Sequence, residues 1–165
     1  MESAAVVDTN ILVYRFDPRH PLEQSISEQL LRQGLIERQR LVIPHQAIIE
    51  FVAAVIRPVN GLDGRSLLSR PDALTEAESL MSQFEVVYPN DLVLRTALRG
   101  VQAYRMAWFD AHLWAYAETM GIRELISEDF SHGQVYGQVR IRNPFVEADK
   151  VMQLPPLYSD DGPGR

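Results

Sequence analysis

Short apolar segments alternate with longer amphipathic ones along most of the chain, and this alternation limits the fold more than any other feature. The apolar segments are predicted to be buried strands, because each is only three to five residues long and lies between turn-forming or helical stretches. They cover residues 4–7, 41–43, 84–88, 124–127 and 139–141.

Between the strands, apolar residues recur at the spacing of an amphipathic helix. Proline and glycine mark several ends: Pro21 begins one helix, Pro58 stops another, and Gly121 ends the last. The predicted helices cover residues 11–14, 21–38, 44–57, 72–83, 91–104 and 108–120, with a loop at 60–71. Strands that alternate with helices are typical of a mostly parallel sheet covered on both faces, so the expected class is α/β.

The 165 residues suit one domain, and neither an internal repeat nor a long linker divides them. We expect this domain to span residues 1–146, and residues 147–165, rich in turn-formers, to be a loosely ordered tail. No apolar run reaches the roughly 18 residues of a membrane span, and the start lacks the basic and apolar regions of a signal peptide. We therefore expect a cytoplasmic protein without membrane contact.

The composition narrows the chemistry that the chain can carry. It has no cysteine, which excludes disulfides, thiolate nucleophiles and cysteine-based zinc sites. Its formal net charge is −6, so binding of nucleic acid by bulk charge is not expected. Of the 16 basic residues only Lys150 is a lysine, and the others are arginines, whose planar guanidinium suits phosphate groups. A nucleic-acid ligand would need a local basic patch and a metal ion.

Four acidic residues stand in apolar surroundings, where an uncompensated charge is unfavourable. Asp8 and Asp129 follow the first and fourth predicted strands, whereas Glu50 and Asp110 interrupt apolar helical segments. Ligands of open parallel sheets bind at the carboxyl ends of the strands, so we expect the four acids to converge there. Converging carboxylates repel each other unless a cation joins them, and oxygen ligands favour Mg²⁺ or Mn²⁺ over zinc.

Each acid taken alone also fits an ordinary structural role. Asp8 can cap the next helix, and Glu50 can reach solvent along its helix face. Asp110 can lie in the first turn of a helix, where the helix dipole favours a negative charge, and Asp129 can belong to a turn. The placement of all four at strand ends and in apolar helices is what favours a shared site.

The segments that carry these acids resemble the motifs of PIN domains. They are Val6-Val7-Asp8-Thr9-Asn10-Ile11-Leu12, Ala47-Ile48-Ile49-Glu50-Phe51, Phe109-Asp110-Ala111 and Leu125-Ile126-Ser127-Glu128-Asp129-Phe130, with Asn143-Pro144-Phe145 as the usual close. The resemblance covers about residues 4–146, and its specificity lies in the order and spacing of the motifs. Within the family the chain most resembles VapC toxins of type II toxin–antitoxin pairs. Ser127 departs from the commoner threonine, and the acidic, proline-rich tail is a second departure.

The resemblance implies a three-layer α/β/α sandwich and a Mg²⁺-dependent endoribonuclease that hydrolyses RNA phosphodiester bonds, with Mn²⁺ able to substitute. It also implies a homodimer and inhibition by a cognate antitoxin. The expected catalytic residues and metal ligands are Asp8, Glu50, Asp110 and Asp129.

Other polar residues are expected to support these acids. Thr9, Asn10 and Ser127 can hydrogen-bond the carboxylates or the phosphate, with local capping as the alternative. The candidate contacts to RNA phosphates are Arg15, Arg19, Arg105 and Arg123, with a solvated surface position as the alternative.

Three other functions stay open. A housekeeping PIN nuclease for RNA processing, without an antitoxin, would share every motif. A PIN scaffold that only binds a partner would be expected to lack an acid, and all four are present. A phosphatase of the haloacid-dehalogenase type needs an aspartate two residues after Asp8, where Asn10 stands, and a suitable lysine, whereas Lys150 is the only one.

Overall fold

A computed structural model gives the fold of residues 3–36 and 39–147. Its strands are β1 (Ala4–Val7), β2 (Arg40–Pro44), β3 (Glu85–Val87), β4 (Glu124–Ile126), β5 (Val135–Tyr136) and β6 (Val139–Arg142). They form one sheet in the order β3-β2-β1-β4-β6-β5. Every pairing is parallel except that of β5 with β6, which confirms the mostly parallel sheet expected from the sequence.

Six helices connect the strands. They are α1 (Thr9–Tyr14), α2 (Pro21–Ile36), α3 (His45–Val55), α4 (Arg70–Gln83), α5 (Asp91–Tyr104) and α6 (Trp108–Thr119). Each corresponds to a helix expected from the sequence. The expected tail lies outside the described residues from position 148 onward, so its proposed looseness stays a prediction.

Alternating strand residues build two separate cores, one on each face of the sheet. Val7 of β1 packs with α1 to α4 in a cluster that includes Leu12 and Phe51. Val6, its neighbour, packs on the opposite face with α5 and α6, in a cluster that includes Trp114. Because side chains of a strand point alternately to its two faces, both faces are covered and the three-layer α/β/α sandwich is confirmed.

Helix α6 ends in the way that the sequence signal predicts. Gly121 adopts φ +67°, and the Ile122 N–H donates to the carbonyl of Ala117 over 2.9 Å. This is the hydrogen bond of a Schellman motif, in which glycine takes the left-handed position at least cost. The turn directs the chain into β4.

Several element boundaries differ from the sequence expectation by one or two residues, and one strand is additional. Helix α4 starts at Arg70 and not at 72, because Ser69 caps it and accepts a hydrogen bond from the Asp72 N–H over 3.2 Å. Strand β5 is an addition to the expected strands, since its two residues are too short for a periodic signal. Within the part of the chain that the structure describes, no helix has the length and apolar character to cross a membrane.

The parallel pairing sets the position of the candidate site. Strands β1, β2 and β4 run in the same direction, so their carboxyl ends meet at one edge of the sheet. Asp8 follows β1, α3 begins directly after β2, and Ser127 follows β4. Residues distant in the sequence therefore come together at this edge.

Candidate active site

Asp8 lies at the carboxyl edge of the sheet with its side chain buried. Its backbone N–H donates to the Ile126 carbonyl over 3.0 Å, so β1 stays paired with β4 up to this residue. The carboxylate accepts a 2.6 Å hydrogen bond from the Ser127 hydroxyl. Although Asp8 is the N-cap of α1, its side chain makes no capping hydrogen bond. Helix capping therefore does not account for the position of this carboxylate.

The next two side chains reach the other acidic segments. The Thr9 hydroxyl donates to Oε2 of Glu50 over 2.8 Å. The Asn10 amide donates to Oδ2 of Asp129 over 3.2 Å, and also to Oε1 of Glu128 over 3.2 Å. Residues 8 to 10 thus connect the ends of β1 and β4 with the middle of α3, and the three supporting residues expected from the sequence all contact carboxylates.

Glu50 is half-buried on α3 and is held at both oxygens. In addition to the bond from Thr9, its Oε1 accepts a 2.8 Å hydrogen bond from the amide of Gln46, one helical turn earlier. The same Gln46 amide donates to the carbonyl of Phe109 over 3.2 Å. Gln46 therefore links α3 to the start of α6, next to Asp110.

Asp110 lies in the first turn of α6 and is half-buried. Burial raises its pKa to about 6, and the charges of Asp129 and Glu50 act in the same direction. Burial likewise raises the pKa of Asp8 to about 7, aided by the charges of Asp129 and Asp110 and opposed by the hydrogen bond from Ser127 and by the neighbouring Thr9 N–H. The four acids thus act on one another and lie in one electrostatic neighbourhood.

The acids do not, however, form a closed set of metal ligands. Across residues 3–36 and 39–147, no group of three or more histidine, aspartate or glutamate side chains is arranged so that it could hold a metal ion. The chemistry of the donors suits Mg²⁺, since all are carboxylate oxygens, and the raised pKa values of Asp8 and Asp110 reflect a charge that a cation would offset. The expected metal site therefore has support from donor chemistry and not from a preformed geometry.

An apolar cavity of about 570 Å³ borders the acids on the side of Glu50. Trp108 and Phe109 line it and are partly exposed. The His112 ring also lines it and lies edge-on to the Trp108 ring, with the two centroids 4.5 Å apart. Burial lowers the pKa of His112, while the charge of Glu50 raises it. His112 thus faces this cavity, two residues after Asp110 on α6.

The four candidate arginines are not grouped around the acids. The Arg19 guanidinium pairs with the buried Asp17 through two contacts of 2.6 and 2.8 Å, and this pair is held by the Asn60 carbonyl at 2.9 Å. Arg123 precedes β4, so it lies at the opposite edge of the sheet, about 10 Å of strand away from the acids. The pairing of Arg19 and the strand direction at Arg123 count against both as contacts at this site.

The other two arginines lie at the ends of helices α1 and α5. Arg15 follows α1, and its guanidinium lies over the Phe16 ring, 5.2 Å from the centroid. Arg105 is exposed in the short connection between α5 and α6, five residues before Asp110. Neither is paired with a carboxylate within the described ranges.

Two polar residues of the site are absent from the sequence prediction. Gln46 stands four residues before Glu50, and this i, i+4 spacing on a helix is the signal that could have identified it. Glu128 accepts hydrogen bonds from Asn10 and from the Tyr14 hydroxyl, the latter over 2.8 Å. Its signal is its place next to Asp129 in a pair of adjacent acids after β4.

Known proteins share this fold. A family model described as PIN domain matches residues 5–137. No curated protein matches the chain. A toxin–antitoxin complex from Klebsiella pneumoniae is similar with a TM-score of 0.60 and 18% identity, over 85% of this chain and 97% of that one.

Two further solved structures are similar to this chain over most of their length. The Mycobacterium tuberculosis toxin VapC20, described as cleaving the sarcin-ricin loop, has a TM-score of 0.58 at 16% identity, over 82% of this chain and 98% of that one. VapBC-1 from nontypeable Haemophilus influenzae has a TM-score of 0.58 at 18% identity, over 86% and 98% of the two chains. At these identities the similarity shows a common fold.

Proposed function

Because the chain belongs to the PIN domain family, we propose that it is an endoribonuclease that hydrolyses RNA phosphodiester bonds with Mg²⁺, for which Mn²⁺ can substitute. The observation that carries this proposal is the buried carboxylate of Asp8 at the carboxyl edge of the sheet. Its pKa is raised to about 7 by burial and by the charges of two further acids, Asp129 and Asp110. A nearby cation would stabilise the ionised form of such a carboxylate. Phosphodiester hydrolysis is a reaction that a bound cation assists.

In this proposal the four acids have different roles in binding the metal ion. Asp8 and Asp110 would hold the ion directly, and Glu50 and Asp129 would hold it directly or through water, since Mg²⁺ commonly keeps several waters. An ion held there would supply a water of lowered pKa and would offset phosphate charge. Thr9, Asn10 and Ser127 hold the carboxylates in orientation through their hydrogen bonds.

Two arginines are proposed to bind the phosphates of the RNA. Arg15 and Arg105 are the proposed contacts to phosphates, because each has a guanidinium without a carboxylate partner in the described ranges. A carboxylate oxygen that is not bound to the ion can accept a hydrogen bond from the attacking water and so orient it. In this proposal the RNA reaches the acids at the carboxyl edge of the sheet.

We further propose that the chain is the VapC-like toxin of a type II toxin–antitoxin pair. Its fold is shared with the toxin–antitoxin complex from Klebsiella pneumoniae and with VapC20, which supports a cognate antitoxin as partner. In this proposal residues 1–146 form the nuclease domain, and the protein is a homodimer that acts on cytoplasmic RNA. The competing function is a housekeeping PIN nuclease for RNA processing, and a non-catalytic scaffold is the third.

The enzymatic proposal is tested with the purified full chain and a mixture of structured and single-stranded RNAs. We expect cleavage with Mg²⁺ or Mn²⁺ and none with EDTA. Asp8→Asn should lower the rate at least about a hundredfold, since loss of a residue that only orients a metal ligand already costs about 10- to 100-fold. The matched control is Asp63→Asn, an exposed aspartate whose φ of +52° asparagine tolerates. Cleavage that survives both EDTA and Asp8→Asn would refute the proposal.

The toxin proposal needs a separate experiment. Induction of the wild-type gene in a bacterial host should arrest growth, whereas Asp8→Asn should not, and coexpression of the antitoxin should restore growth. RNA cleavage in vitro without growth arrest would favour the housekeeping nuclease. Neither cleavage nor arrest, with a partner still bound, would favour the scaffold.

A further inference from the structure

Glu128 is the neighbour of the proposed metal ligand Asp129, and the proposed function gives it no role. It is half-buried, and its Oε1 accepts two hydrogen bonds, from the Tyr14 hydroxyl over 2.8 Å and from the Asn10 amide over 3.2 Å. Both donors come from α1 and are four residues apart, so they point from one face of that helix. The arrangement fixes the glutamate carboxylate between two donors.

Tyr14 is itself held in place by aromatic neighbours. Its ring lies edge-on to the rings of His20 and Phe145, with centroids 5.5 and 5.2 Å away. Edge-to-face contacts of this kind hold a ring in a narrow range of orientations. The phenol hydroxyl is therefore a fixed donor to Glu128 and not a mobile surface group.

The Asn10 amide joins Glu128 to the proposed ligand Asp129. Its Nδ2 donates to both carboxylates, so the nitrogen and not the oxygen of the amide faces them. Asp129 is exposed, and within the described residues its carboxylate accepts a hydrogen bond only from Asn10. The direction of the Asp129 carboxylate thus depends on an amide that Glu128 helps to orient.

We propose that Tyr14 and Glu128 are a positioning pair that fixes the Asn10 amide and, through it, the Asp129 carboxylate. This proposal rests on the proposed function, because it assigns the pair a part in metal binding. Neither residue touches the ion or the RNA in this scheme. Their effect reaches the site through Asn10 alone.

Three variants of the full chain test the pair. Tyr14→Phe keeps the ring contacts and removes only the hydroxyl, and Glu128→Ala removes the acceptor. Both substitutions should raise the Mn²⁺ concentration for half-maximal RNA cleavage by about three- to tenfold. This effect is smaller than the roughly 10- to 100-fold typical of residues that hydrogen-bond a metal-binding side chain directly. Calorimetry with Mn²⁺ alone should show the same loss of affinity. Glu128→Gln should retain near wild-type affinity, because its amide oxygen can still accept both hydrogen bonds.

The matched control is Tyr104→Phe, which removes a hydroxyl that accepts a hydrogen bond from the Gly137 N–H, outside the site. It should leave Mn²⁺ affinity unchanged. Wild-type Mn²⁺ affinity in both Tyr14→Phe and Glu128→Ala, with folding intact, would overturn the proposal. So would an equal loss of affinity in Tyr104→Phe.

Nuclear magnetic resonance separates this proposal from the proposed function. In metal-free protein the Asn10 side-chain amide protons should exchange faster with water in Tyr14→Phe and Glu128→Ala than in the wild type. If the wild type neither binds Mn²⁺ nor cleaves RNA, the nuclease assignment fails even if this exchange effect is present. If the wild type binds Mn²⁺ and the exchange is unchanged by either variant, the positioning pair fails alone.

Discussion

The Ser127 hydroxyl donates a 2.6 Å hydrogen bond to Oδ2 of Asp8, and so joins the carboxyl ends of β4 and β1. Both side chains are buried. The same hydroxyl oxygen accepts the Asp129 N–H over 3.1 Å. One serine therefore holds the first and the last of the four proposed acids in a common register.

Ser127→Ala should impair the proposed nuclease through Asp8. The hydrogen bond from Ser127 lowers the pKa of Asp8, so its loss raises that pKa and leaves less carboxylate at pH 7. We expect cleavage at pH 7 to fall about 10- to 100-fold and the acidic limb of the pH–rate profile to move to higher pH. Ser131→Ala, an exposed serine nearby, is the control. An unchanged pH profile would contradict the assigned role.

Asp8→Asn should make the metal-free protein more stable at pH 8. The pKa of Asp8 is raised from 3.8 to about 7 in the fold, so the folded state holds this proton more tightly than the unfolded state does. The free energy of unfolding therefore decreases as the pH rises from about 4 to about 7, on the order of a few kcal/mol in all, so the wild type becomes less stable. Asparagine does not ionise and avoids this loss.

Thermal unfolding in EDTA checks the sign of this effect. The melting temperature of Asp8→Asn should exceed that of the wild type at pH 8, and the two should converge near pH 4. Asp63→Asn, exposed and remote in the 60–66 loop, should follow the wild type at every pH. A wild type that is the more stable protein at pH 8 would show that the Asp8 charge is not an unfavourable one.

Most of the fold could be predicted from local sequence signals. Strands such as β1 and helices such as α6 carry their own periodicity and end signals, and Gly121 marks the end of α6 through its left-handed backbone. Strand β5 could not, because a two-residue strand depends on its pairing with β6 and has no pattern of its own. The sheet order also rests on contacts between segments far apart in the chain.

The site divides in the same way. Asp8 and Ser127 could be identified because each follows a strand, and parallel strands bring such positions to one edge. The contacts of Gln46 with the Phe109 carbonyl and of Glu128 with the Tyr14 hydroxyl could not be predicted, because they depend on how α6 and α1 pack beside these residues. Arg123 could have been excluded, since a residue that precedes a strand lies at the edge away from the site.

Arg105 and Arg123 should differ in their effect on RNA binding. Removal of one arginine–phosphate interaction should reduce the slope of log affinity against log salt by about 0.7 for single-stranded RNA. We expect this change in Arg105→Gly, where glycine also suits the φ of +55°, and no change in Arg123→Ala at the opposite edge. Fluorescence anisotropy with the full chain in EDTA measures both slopes. Equal slopes for the two variants would remove Arg105 from the RNA contacts.

Ser27→Ala should stabilise the protein. The Ser27 hydroxyl on α2 is fully buried, and within the described residues it has no hydrogen-bond partner. Removing an unsatisfied buried hydroxyl recovers about 1 kcal/mol or more of desolvation free energy. Ser25→Ala, exposed on the same helix, gains only helix propensity, up to about 0.5 kcal/mol. Urea unfolding that finds equal gains in both variants would mean that the Ser27 hydroxyl is satisfied.

Gly100→Ala should destabilise the protein, although alanine favours helices by about 1 kcal/mol over glycine. A Cβ at Gly100 on α5 would lie 2.6 Å from Cζ3 of Trp114 on α6. That indole cannot move aside freely, because it is buried and its Nε1–H donates to the Tyr136 carbonyl over 3.0 Å. Forced overpacking of this kind costs about 1–3 kcal/mol, and the measured loss is this cost less the propensity gain. Ala103→Gly, exposed on the same helix, measures the propensity alone, and a Gly100→Ala variant more stable than the wild type would show that α5 and α6 can separate.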